Sequence, residues 1–247
     1  DNITQFFYKV EDNQQRLKTL KQLLLHHNPQ SAVIFCSTKR DCQELSDILS
    51  EAGFSAAALH GDLEQRDRDQ TLVRFANKSI CLLVATDVAA RGLDIDNLDA
   101  VFNYHIARDT EVHVHRGGRT GRAGNKGLAC SLRSDKEHYK IACLADYLER
   151  EISGDSLPKD IGKQTAPAPA PMATVQIDGG KKQKLRPGDI LGALTSEGGI
   201  TGKQVGKIHM FDNWAYVAVE RSALKIALAK IGQGKMKGRN FRARPIA

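Results

Sequence analysis

Five short runs in the first part of the chain are mostly apolar on both faces: Ala32–Cys36, Ala56–His60, Ile80–Ala85, Ala100–Tyr104 and Gly127–Leu132. Runs of this length without polar alternation suit strands buried on both sides, which is the condition of a parallel sheet. Helical patterns lie between them. Asn13–His27 places Leu17, Leu20 and Leu24 on one face, and Asp41–Ala52 and Gln65–Phe75 are amphipathic as well. Strand and helix in alternation predict an α/β domain whose ligands bind at loops beyond the carboxyl ends of the strands.

The pattern breaks at 153–171, SGDSLPKDIGKQTAPAPAP, which ends in alternating Ala and Pro. Proline donates to no ladder and biases its neighbours toward extended backbone, so this reads as a semi-rigid linker. Beyond it, Thr174–Ile177 reads as a strand, Pro187–Leu194 as a helix whose first turn accommodates Pro187, and Val205–Met210 and Trp214–Val219 as strands around an Asp-Asn turn. Ser222–Ile231 then reads as a helix and Asn240–Arg244 as a last strand. That order, βαββαβ, predicts a smaller α+β domain. The expected division is 1–152, a linker at 153–171, and 172–247.

Charge adds a partner to this picture. The net charge is +7, but residues 172–247 hold 14 Lys and Arg against 5 Asp and Glu, net +9, while the rest of the chain is net −2. A neutral body carrying a basic module points to a polyanion such as nucleic acid. No apolar run approaches the roughly 18 residues of a membrane span. The opening DNITQFFYKV has no basic n-region, apolar h-region or Met, so the chain is expected to be a piece of a longer protein. Its five cysteines form no C-x-x-C pair and most sit among apolar residues, as reduced, buried thiols of a cytoplasmic protein do.

The densest chemical signal is His115-Arg-Gly-Gly-Arg-Thr-Gly-Arg-Ala-Gly124, with arginines every third residue between glycines. Such a stretch can aim several guanidinium groups at one point, and a triphosphate is a plausible target. A disordered RGG-type segment or a G-x-x-G loop of a KH domain would read similarly, but this stretch lies between apolar strands. Together with Ile34-Phe-Cys-Ser-Thr-Lys39, His60-Gly-Asp-Leu-Glu-Gln-Arg-Asp-Arg68 and Ala85-Thr-Asp-Val-Ala-Ala-Arg-Gly-Leu-Asp94, it resembles motifs VI, IV, IVa and V of DEAD-box RNA helicases in order and spacing. The resemblance implies a RecA-like fold, the second of the helicase core.

It also implies roles. Arg119 and Arg122 match arginine fingers that stabilise charge on the γ-phosphate, and His115 matches the histidine that links the ATP site to the partner domain. Gly92 and Asp94 fall where the family contacts the nucleotide. Ser37, Lys39, Gly61, Arg68 and Thr86 fall on the RNA side, where contacts to the backbone hold a single strand without reading its sequence. Arg68 could instead serve only the neighbouring Asp62 and Asp67. One departure is Gly117, where the family has a bulky aliphatic; losing that side chain is expected to loosen the loop carrying Arg119 and Arg122. No G-x-x-x-x-G-K-[ST] or Asp-Glu-Ala-Asp stretch occurs, and Gly179-Gly-Lys-Lys lacks the spacing. The chain therefore carries half an ATPase site and no metal ligands of its own. ATP and Mg²⁺ would bind only together with an upstream RecA-like domain, and this piece alone is expected to be inactive.

In the basic module, Asn213–Val219 fits the RNP1 template of RNA-recognition motifs at Trp214 and Tyr216, which a strand would place on one face as a platform for stacking bases. Gln176 stands where the companion strand usually has an aromatic. Recognition is then expected to draw also on Lys181, Lys182, Lys184, Arg186, Lys235, Lys237 and Arg239. Pro187–Leu194, Val205–Ile208 and Tyr216–Val219 after a DEAD-box core resemble the bacterial DEAD-box protein A group. That resemblance implies docking on a hairpin of 23S rRNA and action on a large ribosomal subunit precursor. The alternative is a non-enzymatic RNA-binding adaptor on a RecA-like scaffold.

Overall fold

The computed structural model describes residues 2–246. The chain forms two compact units: one runs through Arg68 and resumes at Cys81–Pro169, and the other joins Asp69–Ile80 to the chain from Ala170 onward. No helix among the described residues is long and apolar enough to cross a membrane.

The first unit is built on β1 (Ile3–Lys9), β2 (Ala32–Cys36), β3 (Ala56–Leu59), β4 (Leu82–Thr86), β5 (Ala100–Asn103) and β6 (Gly127–Arg133). They form one sheet in the order β1-β6-β5-β2-β4-β3, with every pairing parallel. The helices are α1 (Asn13–His27), α2 (Lys39–Glu51), α3 (Gln65–Ala76), which belongs to the other unit from Asp69 onward, α4 (Asp87–Ala90), α5 (Thr110–Gly117) and α6 (His138–Leu148). The five apolar runs became β2 to β6 with ends shifted by up to two residues, and Phe7, Ile34, Phe35, Leu83 and Phe102 are buried between the layers. The first strand, β1, was not expected. Its residues Ile3–Lys9 mix polar and apolar positions because only part of this edge strand is covered. Beyond it, the first residues of the 153–171 stretch are pinned: Phe7 N donates to Asp155 Oδ2 and Asp155 N to Phe7 O, both at 2.7 Å. Asp155 thereby takes up both main-chain polar groups of Phe7 on this edge, which would otherwise be open to another strand.

Three of the helices start just past the carboxyl ends of strands. Thr38 caps α2 by accepting from Asp41 N, Thr86 caps α4 by accepting from Ala89 N, and Asp109 caps α5 by accepting from Val112 N. Each cap satisfies an orphan amide where the chain must turn from strand to helix. The turns therefore stand side by side, since Cys36 pairs with Thr86 and Phe35 with Asn103 in register.

The second unit contains β7 (Met172–Ile177), α7 (Pro187–Leu194), β8 (Val205–Met210), β9 (Ala215–Glu220), α8 (Leu224–Gln233) and β10 (Ala243–Ile246). Its antiparallel sheet has the order β10-β7-β9-β8, the RNA-recognition-motif arrangement. Val175, Ile177, Val217 and Val219 point to a core closed by Ile190 and Leu194 of α7 and Ala227 and Ile231 of α8.

The opposite face corrects the stacking-platform expectation. Tyr216 is 0% exposed, and its neighbours Thr174, Gln176 and Ala218 are at most 1% exposed. Within this unit the Asp69–Ile80 segment meets that face, with Asn77 Nδ2 donating to Thr174 Oγ1 at 2.9 Å and Ser79 Oγ 2.6 Å from the same hydroxyl. Tyr216 is held edge-on to Phe211, ring centroids 5.7 Å apart. Trp214 is not on the strand at all, since β9 begins at Ala215; it sits in the preceding turn, half-buried and stacked on Phe211 at 6.0 Å. The last strand also starts later than expected, because Phe241 is buried against Gly179, where a Cβ would lie 2.3 Å from the ring.

Two outcomes test this packing. Tyr216→Ala should lower the unfolding free energy of the second unit by about 3–5 kcal/mol, the cost of emptying a large core site, and a change below about 1 kcal/mol in urea unfolding would contradict its burial. In α5, His113 is buried, stacked on Phe7 at 5.8 Å with a ring nitrogen 2.8 Å from Gln5 Oε1, and burial pushes its pKa down to about 4. The unfolded chain then binds this proton first, so stability is complete above about pH 6.5 and falls by roughly 3 kcal/mol as pH drops toward 4. Thermal melts from pH 7 to 4 should show that loss, and His113→Phe should reduce it.

Candidate nucleotide and RNA interface

The loops after β4 and α5 enclose a cavity of about 420 Å³ beyond the carboxyl edge of the parallel sheet. Gly92, Asp94, His115, Arg119 and Arg122 all line it. Gly92 has φ +76°, a turn that a side chain resists, and leaves the backbone bare toward the cavity. Arg119 is half-buried, and its guanidinium donates to the carbonyls of Ala90 at 2.8 Å, Leu93 at 3.3 Å and Ile95 at 2.9 Å. These carbonyls flank Gly92 and Asp94, so Arg119 sets the shape of that loop. Burial and the nearby Arg122 charge lower its pKa. Arg122 is exposed and only its Nε is tied, to Gly118 O at 2.6 Å. His115 is exposed on the same wall.

Gly117 is the last residue of α5, and a Cβ there would meet nothing within 4 Å. The loop is fixed elsewhere: Thr120 Oγ1 donates to Leu98 O at 2.6 Å, Leu98 N donates to Arg119 O at 3.0 Å, and Gly121 and Gly127 approach so closely that a Cβ on Gly127 would lie 2.6 Å from Gly121 N.

The most deeply placed charge is one that the role assignments left out. Arg116, 2% exposed, forms a two-pronged pair with Asp87, Nε to Oδ1 and Nη2 to Oδ2 both at 2.7 Å. Its Nη1 donates to His105 O at 2.7 Å, and the guanidinium lies 4.9 Å from the Phe35 ring centroid. Its signal was present in the sequence as the first of the three spaced arginines.

On the other side of this pair, a second cavity of about 240 Å³ is lined by Ser37 and Thr86. Thr86 is buried and its hydroxyl is engaged as a cap, whereas Ser37 is exposed and its N–H donates to His105 Nδ1 at 3.1 Å. That acceptor role requires a neutral imidazole, consistent with the downward shift that burial imposes on His105. Lys39 pairs with Asp62 at 2.9 Å beside Gly61, whose absent Cβ would touch the Lys39 chain at 3.7 Å. Arg68 reaches Ala89 O at 3.2 Å.

In the second unit the basic residues gather around a rigid corner. A Cβ on Gly180 would lie 2.1 Å from Phe211 O, so only glycine fits where Lys181 N and Lys182 N donate to Phe211 O and Asp212 O at 2.9 and 2.8 Å. Lys181, Lys182, Lys184 and Arg186 leave this corner into solvent, next to Trp214, with Lys184 at φ +61°. Arg239 lies 5.4 Å over the Phe241 ring. Lys235 and Lys237 are both exposed, the former lining a groove between α7 and α8.

Among the described residues no three His, Cys, Asp or Glu side chains converge as a metal site. The first cavity, lined by Arg91, Arg116, Arg119, Arg122 and Gly92 beside Asp87, Asp94 and Asp96, has the charge and bare backbone that suit phosphate and ribose groups.

A parallel sheet that gathers arginines at its carboxyl edge, followed by a βαββαβ module, is the arrangement of a RecA-like helicase domain with an attached RNA-binding domain. Residues 15–124 match the helicase conserved C-terminal domain, and residues 174–245 match the DbpA RNA binding domain. Over 242 residues the chain is 50% identical to the ATP-dependent RNA helicase DbpA of Escherichia coli (strain K12), covering 98% of this chain and 52% of that protein. It is 34% identical over 224 residues to the ATP-dependent RNA helicase DbpA of Bacillus subtilis (strain 168), covering 83% and 47%. The chain thus spans about half the length of the curated relatives it matches. A crystal structure of the E. coli DEAD-box protein SrmB bound to regulator of ribonuclease activity A superposes with a TM-score of 0.60 at 33% identity, covering 67% of this chain and 98% of that one. The chain belongs to the DEAD-box RNA helicase family, as a C-terminal part of the DbpA group.

Asp87→Ala would strand the Arg116 guanidinium in the interior. Because Asp87 itself is partly exposed, the expected loss lies near the lower end of the buried-pair range, about 3 kcal/mol in urea unfolding, and a neutral result would contradict the pair's structural weight.

Proposed function

We propose that this chain is the C-terminal portion of an ATP-dependent RNA helicase that is targeted to a 23S rRNA hairpin and acts on large ribosomal subunit precursors in the cytoplasm. On this reading residues 1–152 act as the second RecA-like domain, 153–171 as the linker and 172–247 as the targeting module. One observation carries the reading: Gly92, Asp94, His115, Arg119 and Arg122 share a single cavity at the carboxyl edge of the parallel sheet. The names of the relatives, ATP-dependent RNA helicases, support it.

ATP, when bound, supplies the free energy of phosphate hydrolysis. The chain's own residues divide the remaining work. Gly92 admits the nucleotide close to bare backbone, and the Asp94 carboxylate is available to ribose hydroxyls. Arg119 holds the loop carrying both, and Arg122, with its terminal nitrogens uncommitted, offers its charge toward the γ-phosphate. The upstream RecA-like domain supplies the phosphate cradle and the Mg²⁺ ligands, and closure of the two domains aligns Ser37, Lys39, Gly61, Arg68 and Thr86 along one RNA strand. With Tyr216 in the core, the targeting module relies on the corner at Lys181, Lys182, Lys184 and Arg186, on Trp214, and on Lys235, Lys237 and Arg239.

RNA-stimulated ATP hydrolysis by the complete protein tests this. Arg122→Ala should reduce turnover by about 10³–10⁵, as loss of an arginine finger does in related chemistry, with hairpin affinity unchanged. The 247-residue chain alone should show no RNA-stimulated turnover. Hydrolysis surviving both Arg119→Ala and Arg122→Ala in the complete protein would overturn the assignment. In the targeting module, Lys182→Ala should flatten the salt dependence of hairpin binding by about one phosphate contact without altering the preference for the rRNA hairpin over unrelated RNA.

A further inference from the structure

The cavity beside Ser37 and Thr86 has walls that neither the motifs nor the proposed nucleotide chemistry explain. Arg91, Arg108, Arg116 and Lys140 bring four cations to it, and Asp87 is its one carboxylate. Both oxygens of Asp87 are already taken by Arg116 at 2.7 Å. The remaining three cations therefore face about 240 Å³ of space with no second carboxylate among the residues lining it. Outside the lining, Asp109 lies 3.4 Å from Arg108 Nε, and its other oxygen caps α5 by accepting from Val112 N at 2.9 Å. Like charges crowded around a cavity repel one another, and an anion seated among them reverses the sign of that interaction.

Arg108 and Lys140 come from places that the motif spacing does not connect. Arg108 lies in the loop between β5 and α5, and Lys140 in the first turn of α6. The loop is held firmly: Arg16, 4% exposed, donates to Tyr104 O and to Leu132 O and pairs with Glu137 at 2.7 Å, while the other Glu137 oxygen accepts from Ile106 N at 2.9 Å. Arg116 holds the same loop from the opposite side through His105 O. The backbone that carries Arg108 is thus anchored on two sides before any ligand arrives, which lowers the ordering cost of binding.

We propose that Arg108 and Lys140 form a phosphate subsite that takes the backbone of a single-stranded RNA, extending the strand's track past Ser37 and Thr86. The inference rests on the reading that the Ser37, Lys39 and Thr86 side faces RNA, and it adds two residues from outside the motifs that define that side. The ligand class is a phosphodiester rather than a base. The walls supply charge and two hydroxyl-bearing residues but no exposed aromatic face, and Arg and Lys are the side chains that match phosphate oxygens.

Photocrosslinking of the full chain with an oligouridylate containing 4-thiouridine, with labelled peptides mapped by mass spectrometry, tests it locally and independently of RNA bound by the second unit. Peptides carrying Lys39, Arg108 and Lys140 should all be labelled. In Arg108→Ala/Lys140→Ala, labelling of the 104–110 and 138–142 segments should fall by about tenfold, as expected for two lost charge-assisted contacts, while labelling around Lys39 persists. Both substitutions are at side chains outside the core, and an unchanged melting temperature verifies the fold. Labelling around Lys39 without labelling at 104–110 and 138–142, or labelling there that the double variant leaves intact, would overturn the subsite alone. No labelling around Lys39 either would overturn the underlying RNA-side reading as well. If excess inorganic phosphate erased the labels at 104–110 and 138–142 but not those around Lys39, the pocket would belong to a free anion and the strand assignment would fail.

Discussion

The Arg116–Asp87 pair is the contact on which the carboxyl edge of the first unit depends. A guanidinium that is almost wholly buried tolerates that position only with its donors satisfied, and here a carboxylate, a backbone carbonyl and an aromatic ring share the task. Asp87 opens α4 directly after Thr86, and Arg116 lies in the last turn of α5. The pair therefore ties the loop after β4 to the helix that leads into Arg119 and Arg122. It lines both the cavity that holds Gly92, Asp94 and His115 and the cavity that holds Ser37 and Thr86. A displacement of either partner is felt on both sides, which gives a physical route by which occupancy of one cavity bears on the other.

Arg119 extends the same logic by one layer. Its three bonds to carbonyls of residues 90, 93 and 95 shape the turn around Gly92, while Thr120 and Leu98 lock the following residues to the sheet. Two arginines that look equivalent in the sequence are thus unequal in the fold, Arg119 serving the loop and Arg122 facing outward. In the second unit the comparable constraint is steric. Gly179 and Gly180 admit Phe241 and the β8–β9 turn at distances no Cβ permits, and the lysines that follow inherit a fixed corner.

The parallel sheet was legible because β2, β4 and β5 are buried on both faces, so apolar runs mark them without ambiguity. The gathering of Gly92, Asp94, His115, Arg119 and Arg122 at one cavity was legible because glycines and arginines in fixed spacing leave few alternatives. What the sequence concealed were contacts made across the fold. Nothing local to Asp87 distinguishes a surface helix start from the partner of a buried arginine. Arg108 and Lys140 are separated from every motif and meet only through the packing of α6 beside the β5–α5 loop. Period-2 alternation correctly set Tyr216 opposite the Val217 and Val219 face, but alternation names the face and not what covers it. Thr174, Gln176 and Ala218 are small or polar and nonetheless buried in the structure.

If one ion pair organises both cavities, hydrogen exchange of Arg116→Lys, read by mass spectrometry, should register its loss on both sides. Lysine keeps the charge but loses the two-pronged geometry and the simultaneous bond to His105 O. Amides in residues 88–96, around Gly92, and in residues 104–109, around His105, should both exchange faster than in the native chain, with the amides of β2, β4 and β5 unchanged. Faster exchange in only one of the two segments, or in neither, would contradict the claim.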